Sequence, residues 1–189
     1  MEDLFKAIKK ITPLAQADEA SISTFFTVEN TGADHLLISA GAVPRHIYFL
    51  SSGIVKGYHN ADGKMVVDHL IEPGSFFTSF ESFVHDRPSP DTYQTVTDSV
   101  VYTLSKPNYE HLSAQHAFIS VLTQEIVSDS LVCKTERVQD FQTLTAKERY
   151  LKLLTQRPSL VSQVSVSDLS AYLGIAPPSL SRIRNQIAK

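Results

Sequence analysis

The stretch that decides the fold stands near the end of the chain, at residues 165–184, and reads Ser165-Val-Ser-Asp-Leu-Ser-Ala-Tyr-Leu-Gly-Ile-Ala-Pro-Pro-Ser-Leu-Ser-Arg-Ile-Arg184. Two short amphipathic segments flank a tight turn that begins at Gly174. A glycine after the last apolar residue supplies the left-handed backbone that ends many helices. Pro177 stands where a second helix would begin, and a proline there loses no hydrogen bond. The spacing predicts a helix-turn-helix.

The second predicted helix presents polar side chains on its outer face. Leu180 and Ile183 have the spacing of buried positions, which leaves the arginine between them facing outward. Such a face is typical of a helix that enters the DNA major groove, where Arg182 would read bases and the later cations would meet phosphates. The alternative is an ordinary helical hairpin that binds nothing. The predicted DNA-binding residues are Ser179, Ser181, Arg182, Arg184 and Lys189.

Charge is distributed unevenly along the chain. The 189 residues have a formal net charge of −3, and 42% of them are hydrophobic, which is enough for one good core or a medium core with a small satellite. Residues 141–189 contain seven basic and two acidic side chains, whereas residues 1–140 contain ten and eighteen. This asymmetry indicates a basic end that meets phosphate and an acidic body that avoids it.

The composition also indicates the cellular compartment of the protein. No apolar run approaches the length needed to cross a bilayer, and Met1-Glu-Asp begins with acid, unlike a signal peptide. The single cysteine, Cys133, excludes an internal disulfide and a cysteine cluster. We therefore expect a cytoplasmic protein that makes no contact with membrane.

The first 105 residues divide into a helical and a β region. Residues 3–26 have helical spacing of apolar residues with a break at Pro13. From Thr27 to Ser105 the sequence consists of short strands separated by turns, of which Ala61-Asp62-Gly63 is a strong hairpin signal. About seven strands at this rhythm predict an antiparallel sandwich or barrel.

A long helix is predicted from Ala117 to about Gln139, because this stretch has no proline or glycine. Part of its apolar face is expected to pack on the β region and the rest to pair with a second copy, although a single packed helix is the alternative. Thr145-Ala-Lys-Glu148 is a capping box that begins another helix. We place the domain boundary there, with a sensor domain at 1–140 and a DNA-binding domain at 141–189.

This order of parts resembles the Crp/Fnr family of transcription regulators. The segments that carry the resemblance are Ile47-Tyr-Phe-Leu-Ser-Ser-Gly-Ile-Val-Lys56, Asp62-Gly63, Glu72-Pro-Gly-Ser-Phe-Phe77, Tyr172-Leu-Gly-Ile and Leu180-Ser-Arg-Ile-Arg184. It implies an α+β fold, with an N-terminal antiparallel β-roll of jelly-roll type and flanking helices, a long dimerisation helix and a C-terminal winged-helix-like helix-turn-helix. It further implies promoter DNA, a second copy of the chain and RNA polymerase as partners.

The expected effector pocket departs from the cyclic-nucleotide binders of that family. Their glycine and glutamate after the Pro-Gly turn are replaced here by Thr78 and Ser79, and no arginine occupies the Arg-Ser position in Ser89-Pro-Asp-Thr92. An unpaired phosphate in a half-buried pocket is costly, so cAMP and cGMP are not expected, although another effector is conceivable. The candidate pocket residues are Phe76, Phe77, Thr78, Ser79, Arg87, Ser89 and Thr92, with core packing the favoured role of the phenylalanines.

The sequence gives little indication of a metal site, a cofactor site or an enzyme active site. His59 and His69 flank one hairpin, but no third ligand can be placed beside them, so no metal site and no cofactor are expected. No catalytic triad, carboxylate pair or phosphate loop is evident, so the protein is not expected to be an enzyme. Two functions remain, a homodimeric DNA-binding regulator and a ligand-binding β-roll whose helical tail mediates protein contacts.

Overall fold

The computed structural model describes residues 1–187, in which two helices precede a β region and six helices follow it. A short helix, α3 (Phe80–His85), interrupts the β region. The leading helices are α1 (Glu2–Ile11) and α2 (Gln16–Phe25). The following helices are α4 (Lys106–Gln115), α5 (Ala117–Thr143), α6 (Ala146–Gln156), α7 (Pro158–Gln163), α8 (Val166–Leu173) and α9 (Pro177–Ile187).

Eight strands form two four-stranded antiparallel sheets. The strands are β1 (Phe26–Thr31), β2 (Leu36–Ile38), β3 (His46–Ser52), β4 (Val55–Ala61), β5 (Lys64–Ile71), β6 (Phe76–Phe77), β7 (Thr92–Thr95) and β8 (Ser99–Ser105). One sheet has the order β1-β8-β3-β6 and the other has the order β2-β7-β4-β5. This is the β-roll expected from the sequence, and the predicted Asp62-Gly63 turn joins β4 to β5 with positive φ at both residues.

The core lies in three clusters of buried side chains. One fills the space between the two sheets, with Leu50, Val55 and Val101 fully buried. A second packs α1, α2, α4 and the first half of α5 against the outer face of the β1-β8-β3-β6 sheet. The third joins the other sheet to helices α6–α9. The C-terminal helices are therefore packed on the β-roll, and they share a core with it.

The long helix follows the predicted pattern along its first half only. Phe118, Ile119, Leu122 and Ile126 are buried against the β-roll. The second half, which extends four residues beyond the predicted end at Gln139, leaves apolar side chains in solvent. The exposed apolar residues of the second half are Leu131, Val132, Val138 and Phe141, and the first half also exposes Val121 and Val127.

The entry into the C-terminal region has the predicted capping box. The Thr145 hydroxyl accepts from the Glu148 backbone N–H at 3.3 Å, and the Glu148 carboxylate accepts from the Thr145 backbone N–H at 2.7 Å. These two bonds begin α6 where the sequence indicates. The short helix α7 was not anticipated. No helix among residues 1–187 has the length and apolar character of a membrane span.

Candidate DNA-binding surface and effector cavity

Helices α8 and α9 form the helix-turn-helix predicted from the sequence. The Ser165 hydroxyl caps α8 by accepting from the Asp168 backbone N–H at 3.0 Å. Gly174 ends α8 in the left-handed conformation, with φ +68° and ψ +31°. Leu169, Leu173 and Leu180 are buried at the junction of the two helices. Local sequence signals therefore place both helices and the turn between them.

The outer face of α9 is exposed and polar. Pro178, Ser181, Arg182 and Asn185 are all exposed, and their spacing puts them on one side of the helix. The Ser181 hydroxyl donates to the Pro177 carbonyl at 3.2 Å, which satisfies its proton within the helix. No acidic side chain in the described part of the chain pairs with Arg182. Its guanidinium is therefore available to an external ligand.

Two other predicted DNA-binding residues are less accessible. Ser179 is half-buried. Arg184 is also half-buried, and its Nη2 donates to the Val161 carbonyl at 3.2 Å while its guanidinium lies 5.8 Å from the centroid of the Tyr150 ring. The structure therefore gives Arg184 a contact within the domain that the sequence did not indicate. Lys189 lies outside the described residues.

Several basic side chains of residues 141–187 form ion pairs or hydrogen bonds within the protein. Arg157 Nε lies 2.5 Å from Glu72 Oε2, and Lys152 Nζ lies 2.7 Å from Asp140 Oδ2. Arg149 donates to two backbone carbonyls, those of Leu144 and Leu173. The exposed basic surface is consequently narrower than the count of charges along the sequence suggests, and on α9 it includes Arg182.

A buried ion pair fastens the helix-turn-helix to the β-roll. Lys56 Nζ on β4 donates to Asp168 Oδ1 on α8 at 2.8 Å, and each side chain is only about one-tenth exposed. Apolar residues of the sheet, including Val67 and Leu70, lie in the same cluster as Leu169. The sequence carried no signal for this partner of Asp168, which is 112 residues away.

A cavity of about 590 Å³ opens between α1, the β-roll and α5. Its wall contains three of the predicted pocket residues, Phe76, Phe77 and Thr78. Tyr172 of α8 also lines it, so the cavity extends from the β-roll to the helix-turn-helix. The Thr78 hydroxyl donates to the His46 carbonyl at 2.9 Å, and the Phe77 ring stacks on Tyr48 with centroids 5.2 Å apart. Packing therefore accounts for Phe77, as expected.

The other four predicted pocket residues lie outside this wall. Ser79 and Ser89 are buried, and the Ser89 hydroxyl donates to the Asp91 carbonyl. The Thr92 hydroxyl accepts from the Ala40 backbone N–H at 3.2 Å. Arg87 is exposed and lies 3.9 Å from Glu81. These positions are close to the turn in sequence, but Ser89 is held by a local hydrogen bond, Thr92 is held by the bond from Ala40, and Arg87 extends into solvent.

The buried part of the cavity wall is electrically neutral near pH 7. Burial, with a smaller contribution from the nearby Lys134 cation, lowers the pKa of His69 to about 4. Burial, with a smaller contribution from Asp91, raises the pKa of the Tyr93 phenol. The charged groups of the wall come mainly from α1, α5 and the C-terminal region. They are Asp3, Lys6, Lys10, Glu125, Asp129 and Arg157.

Together, the fold and these two surfaces define a class of protein, in which a nucleotide-binding type of β-roll is joined through a long helix to a helix-turn-helix. Residues 28–116 match the family model of the cyclic nucleotide-binding domain. No curated protein sequence matches the chain significantly.

Solved structures of regulators share the fold over most of the chain. FixK2 from Bradyrhizobium japonicum superposes with a TM-score of 0.76 at 16% identity, covering 86% of this chain and 84% of its own. The c-di-GMP-responsive regulator CLP of Xanthomonas campestris has a TM-score of 0.73 at 17% identity, with coverages of 90% and 92%. A Crp/Fnr-family regulator of Eubacterium rectale has a TM-score of 0.73 at 12% identity, with coverages of 93% and 84%. The chain therefore has the Crp/Fnr fold, which confirms the resemblance.

Proposed function

We propose that this protein is a cytoplasmic transcription regulator of the Crp/Fnr type that binds promoter DNA as a homodimer and catalyses no reaction. The exposed polar face of α9 is the observation that carries this proposal. Arg182 would read a base edge in the major groove, and Ser179 and Ser181 would contact the neighbouring bases or backbone. RNA polymerase is a further partner that a promoter-bound regulator would meet.

The accessibility of α9 supports binding to DNA in the arrangement described here. The contacts with the β-roll are made mainly by α8, through Asp168 and Leu169, while the face of α9 that carries Arg182 remains exposed. A recognition helix must insert one side into a groove of about 12 Å, so an unobstructed polar side is the minimum requirement. This side of α9 meets that requirement.

A titration with duplex DNA tests the proposal. The labelled duplex would come from the region upstream of the protein's own gene, and a random duplex of the same length would be titrated in parallel by fluorescence anisotropy at low salt. We expect the wild type to retain a preference for the upstream duplex, and Arg182→Ala to lose it. Arg87→Ala is the matched control, because it removes an exposed arginine from the β-roll instead. Equal binding by wild type and Arg182→Ala would contradict the proposal.

The exposed side chains on the second half of α5 support a homodimer. Leu131 is 65% exposed and Val138 is 57% exposed, and these two residues are one heptad apart. Val127 lies one turn before Leu131 and is also exposed. Burying an apolar stripe of this kind away from water is favourable. A second copy of α5 carries the same stripe and can therefore bury it in a symmetric contact.

The cavity contacts support the expectation that cyclic nucleotides do not bind. Arg157 is the arginine among the lining residues, and both its Nε bond to Glu72 and its bond to the Leu70 carbonyl already occupy it. A bidentate arginine is the group best suited to neutralise a cyclic phosphate. We infer that any effector of this cavity differs from cAMP and cGMP.

One observation favours the second function, a ligand-binding β-roll whose helical tail mediates protein contacts. The helix-turn-helix shares a buried core with its own β-roll, as it would if the tail served to complete that domain. The anisotropy experiment separates the two functions, because a tail of this kind gives no DNA binding even at low salt.

A further inference from the structure

Three potential metal ligands converge near the β4–β5 hairpin. His59 Nδ1 lies 2.6 Å from Asp68 Oδ2 and 3.8 Å from Asp91 Oδ1. One ligand atom from each of the three residues lies within 4.8 Å of the other two. The sequence suggested His69 as the partner of His59, whereas the structure places two carboxylates beside it.

The strand register explains how these residues meet. His59 is near the end of β4, and β4 lies between β5 and β7 in the sheet. A bulge opposite Gly57 and Tyr58 leaves Asp68 unpaired between Val67 and His69. Such a bulge redirects the side chain of the extra residue. Asp91 immediately precedes β7, whose first residue, Thr92, pairs with Tyr58, so Asp91 reaches His59 from the opposite side.

From this geometry, we propose that His59, Asp68 and Asp91 bind a divalent transition-metal ion such as Zn²⁺. A tetrahedral zinc ion with bonds of about 2.1 Å requires ligand atoms roughly 3.4 Å apart, so the ion would replace the 2.6 Å hydrogen bond between His59 Nδ1 and Asp68 Oδ2 and move these two atoms apart. An imidazole nitrogen with two carboxylates suits Zn²⁺ better than Mg²⁺ or Ca²⁺, which prefer oxygen ligands throughout. With a neutral imidazole, the two carboxylates balance the charge of the ion.

Arg137 lies beside Asp68, on the side of the carboxylate away from His59. Its Nε lies 4.0 Å from Asp68 Oδ1, the other carboxylate oxygen. The guanidinium is itself fixed, because Nη2 donates to the Val67 carbonyl at 2.8 Å and the group stacks on Tyr172 at 4.6 Å. Outer contacts of this kind orient metal ligands and tune affinity.

A cavity of about 650 Å³ lies against the three residues, between the hairpin and the second half of α5. Cys133, Lys134 and Arg137 form its helical wall. Three protein ligands leave a fourth position on a tetrahedral ion, and this cavity gives that position access to water or to a small anionic ligand. The site would therefore be of the open type.

Calorimetric titration with Zn²⁺ tests the proposal. It is done with the full chain in a Cys133→Ser background, which removes the thiol as a competing ligand. We expect one ion per chain, an increase in the thermal unfolding midpoint on addition of Zn²⁺, and no displacement by excess Mg²⁺. Titration with Co²⁺ supplies a second readout, since visible absorption bands report the coordination geometry.

Two variants and one control decide the outcome. His59→Gln and Asp91→Asn each remove a ligand with little change in size, and we expect each to weaken Zn²⁺ binding by about 100-fold. His116→Gln is the matched control, because His116 pairs with Asp18 at 2.7 Å but belongs to no three-ligand group among residues 1–187. Circular dichroism verifies the fold of each variant. The proposal is overturned by an absence of stoichiometric binding, or by equal affinity in both ligand variants and the control.

Discussion

Lys56 and Asp168 form an ion pair that joins the two halves of this protein, with Lys56 Nζ 2.8 Å from Asp168 Oδ1. Both side chains are largely removed from water, and the Ser165 hydroxyl donates a second hydrogen bond to the same carboxylate at 3.0 Å. Because charges separated from water require compensation, this contact makes the position of α8 depend on β4.

Replacing one member of that pair should be more harmful than replacing both. Lys56→Met leaves the Asp168 carboxylate buried without its cation, and we expect it to lower the free energy of unfolding by about 3 kcal/mol. Lys56→Met combined with Asp168→Leu removes both charges, and its stability should lie above that of the single variant. Urea denaturation of the wild type, the two single variants and the double variant gives the interaction energy of the pair. If the losses of stability in the single variants simply add up in the double variant, the charges do not interact.

Replacing Arg182 should mainly weaken DNA binding, whereas replacing Arg184 should mainly reduce stability. Arg182 is exposed, so Arg182→Ala should leave stability within about 0.5 kcal/mol of the wild type and cost about 1–3 kcal/mol of binding to the preferred duplex. Arg184 donates to Val161 and lies over Tyr150, so Arg184→Ala should cost about 1–2 kcal/mol of stability. Denaturation and DNA titration of both variants supply the comparison. Equal loss of stability in the two would contradict it.

Dimerisation should depend on the exposed apolar side chains of α5. Leu131→Glu introduces a charge into the proposed seam, where it would be buried in the dimer, so we expect a monomer in sedimentation velocity experiments at micromolar concentration. Val28→Glu is the control, because Val28 is an exposed valine of β1, 53% accessible, on a different surface. Monomers in both variants, or a dimer that persists in Leu131→Glu, would rule out α5 as the specific interface.

Gly174 is required by both its backbone and its surroundings. Its φ is +68°, and a Cβ added there would lie 2.6 Å from Cε1 of Phe141. Gly63→Ala measures only the loss of stability from backbone strain, since Gly63 has φ +82° and no atom lies within 4 Å of an added Cβ. We expect Gly63→Ala to cost about 1 kcal/mol and Gly174→Ala to cost more, as measured by thermal unfolding. The additional loss of stability in Gly174→Ala, compared with Gly63→Ala, should be smaller when Phe141 is also replaced by alanine.

The Asp18 carboxylate should make stability depend on pH in the acid range. The Ala15 backbone N–H donates to it at 2.8 Å and lowers its pKa, and His116 lowers the pKa further. A carboxyl whose pKa is lower in the folded state contributes stability above its ordinary pKa near 4, and this contribution is lost as the pH falls through the lowered value. Asp18→Asn should therefore flatten the decline in stability below pH 4 in urea denaturation series.

Asp62→Asn serves as the comparison for that series. Asp62 is exposed in the β4–β5 turn with φ +51°, a conformation that asparagine also tolerates. It should follow the wild-type dependence on pH. If both variants changed the acid limb equally, the effect would have to be assigned to overall charge.

The β-roll was predictable in outline because its signals alternate over two residues and are punctuated by turns. The Asp62-Gly63 hairpin is the clearest example. The short strand β6 was harder, since a strand of two residues has too few positions to show alternation. The effector cavity was predicted only in part, because Phe76, Phe77 and Thr78 line it. The Ser89 hydroxyl instead donates to the nearby Asp91 carbonyl, and the Thr92 hydroxyl accepts from the distant Ala40 backbone N–H.

What the sequence determined by itself is the helix-turn-helix. Its cap at Ser165, its left-handed turn at Gly174 and the exposed position of Arg182 depend on residues within one or two helical turns, so the local sequence specifies them. The tertiary structure alone decided that Lys56 meets Asp168, that Arg184 turns towards Val161, and that two carboxylates converge on His59. These contacts join separate elements, and only the packing of the sheets and helices brings their charges close together.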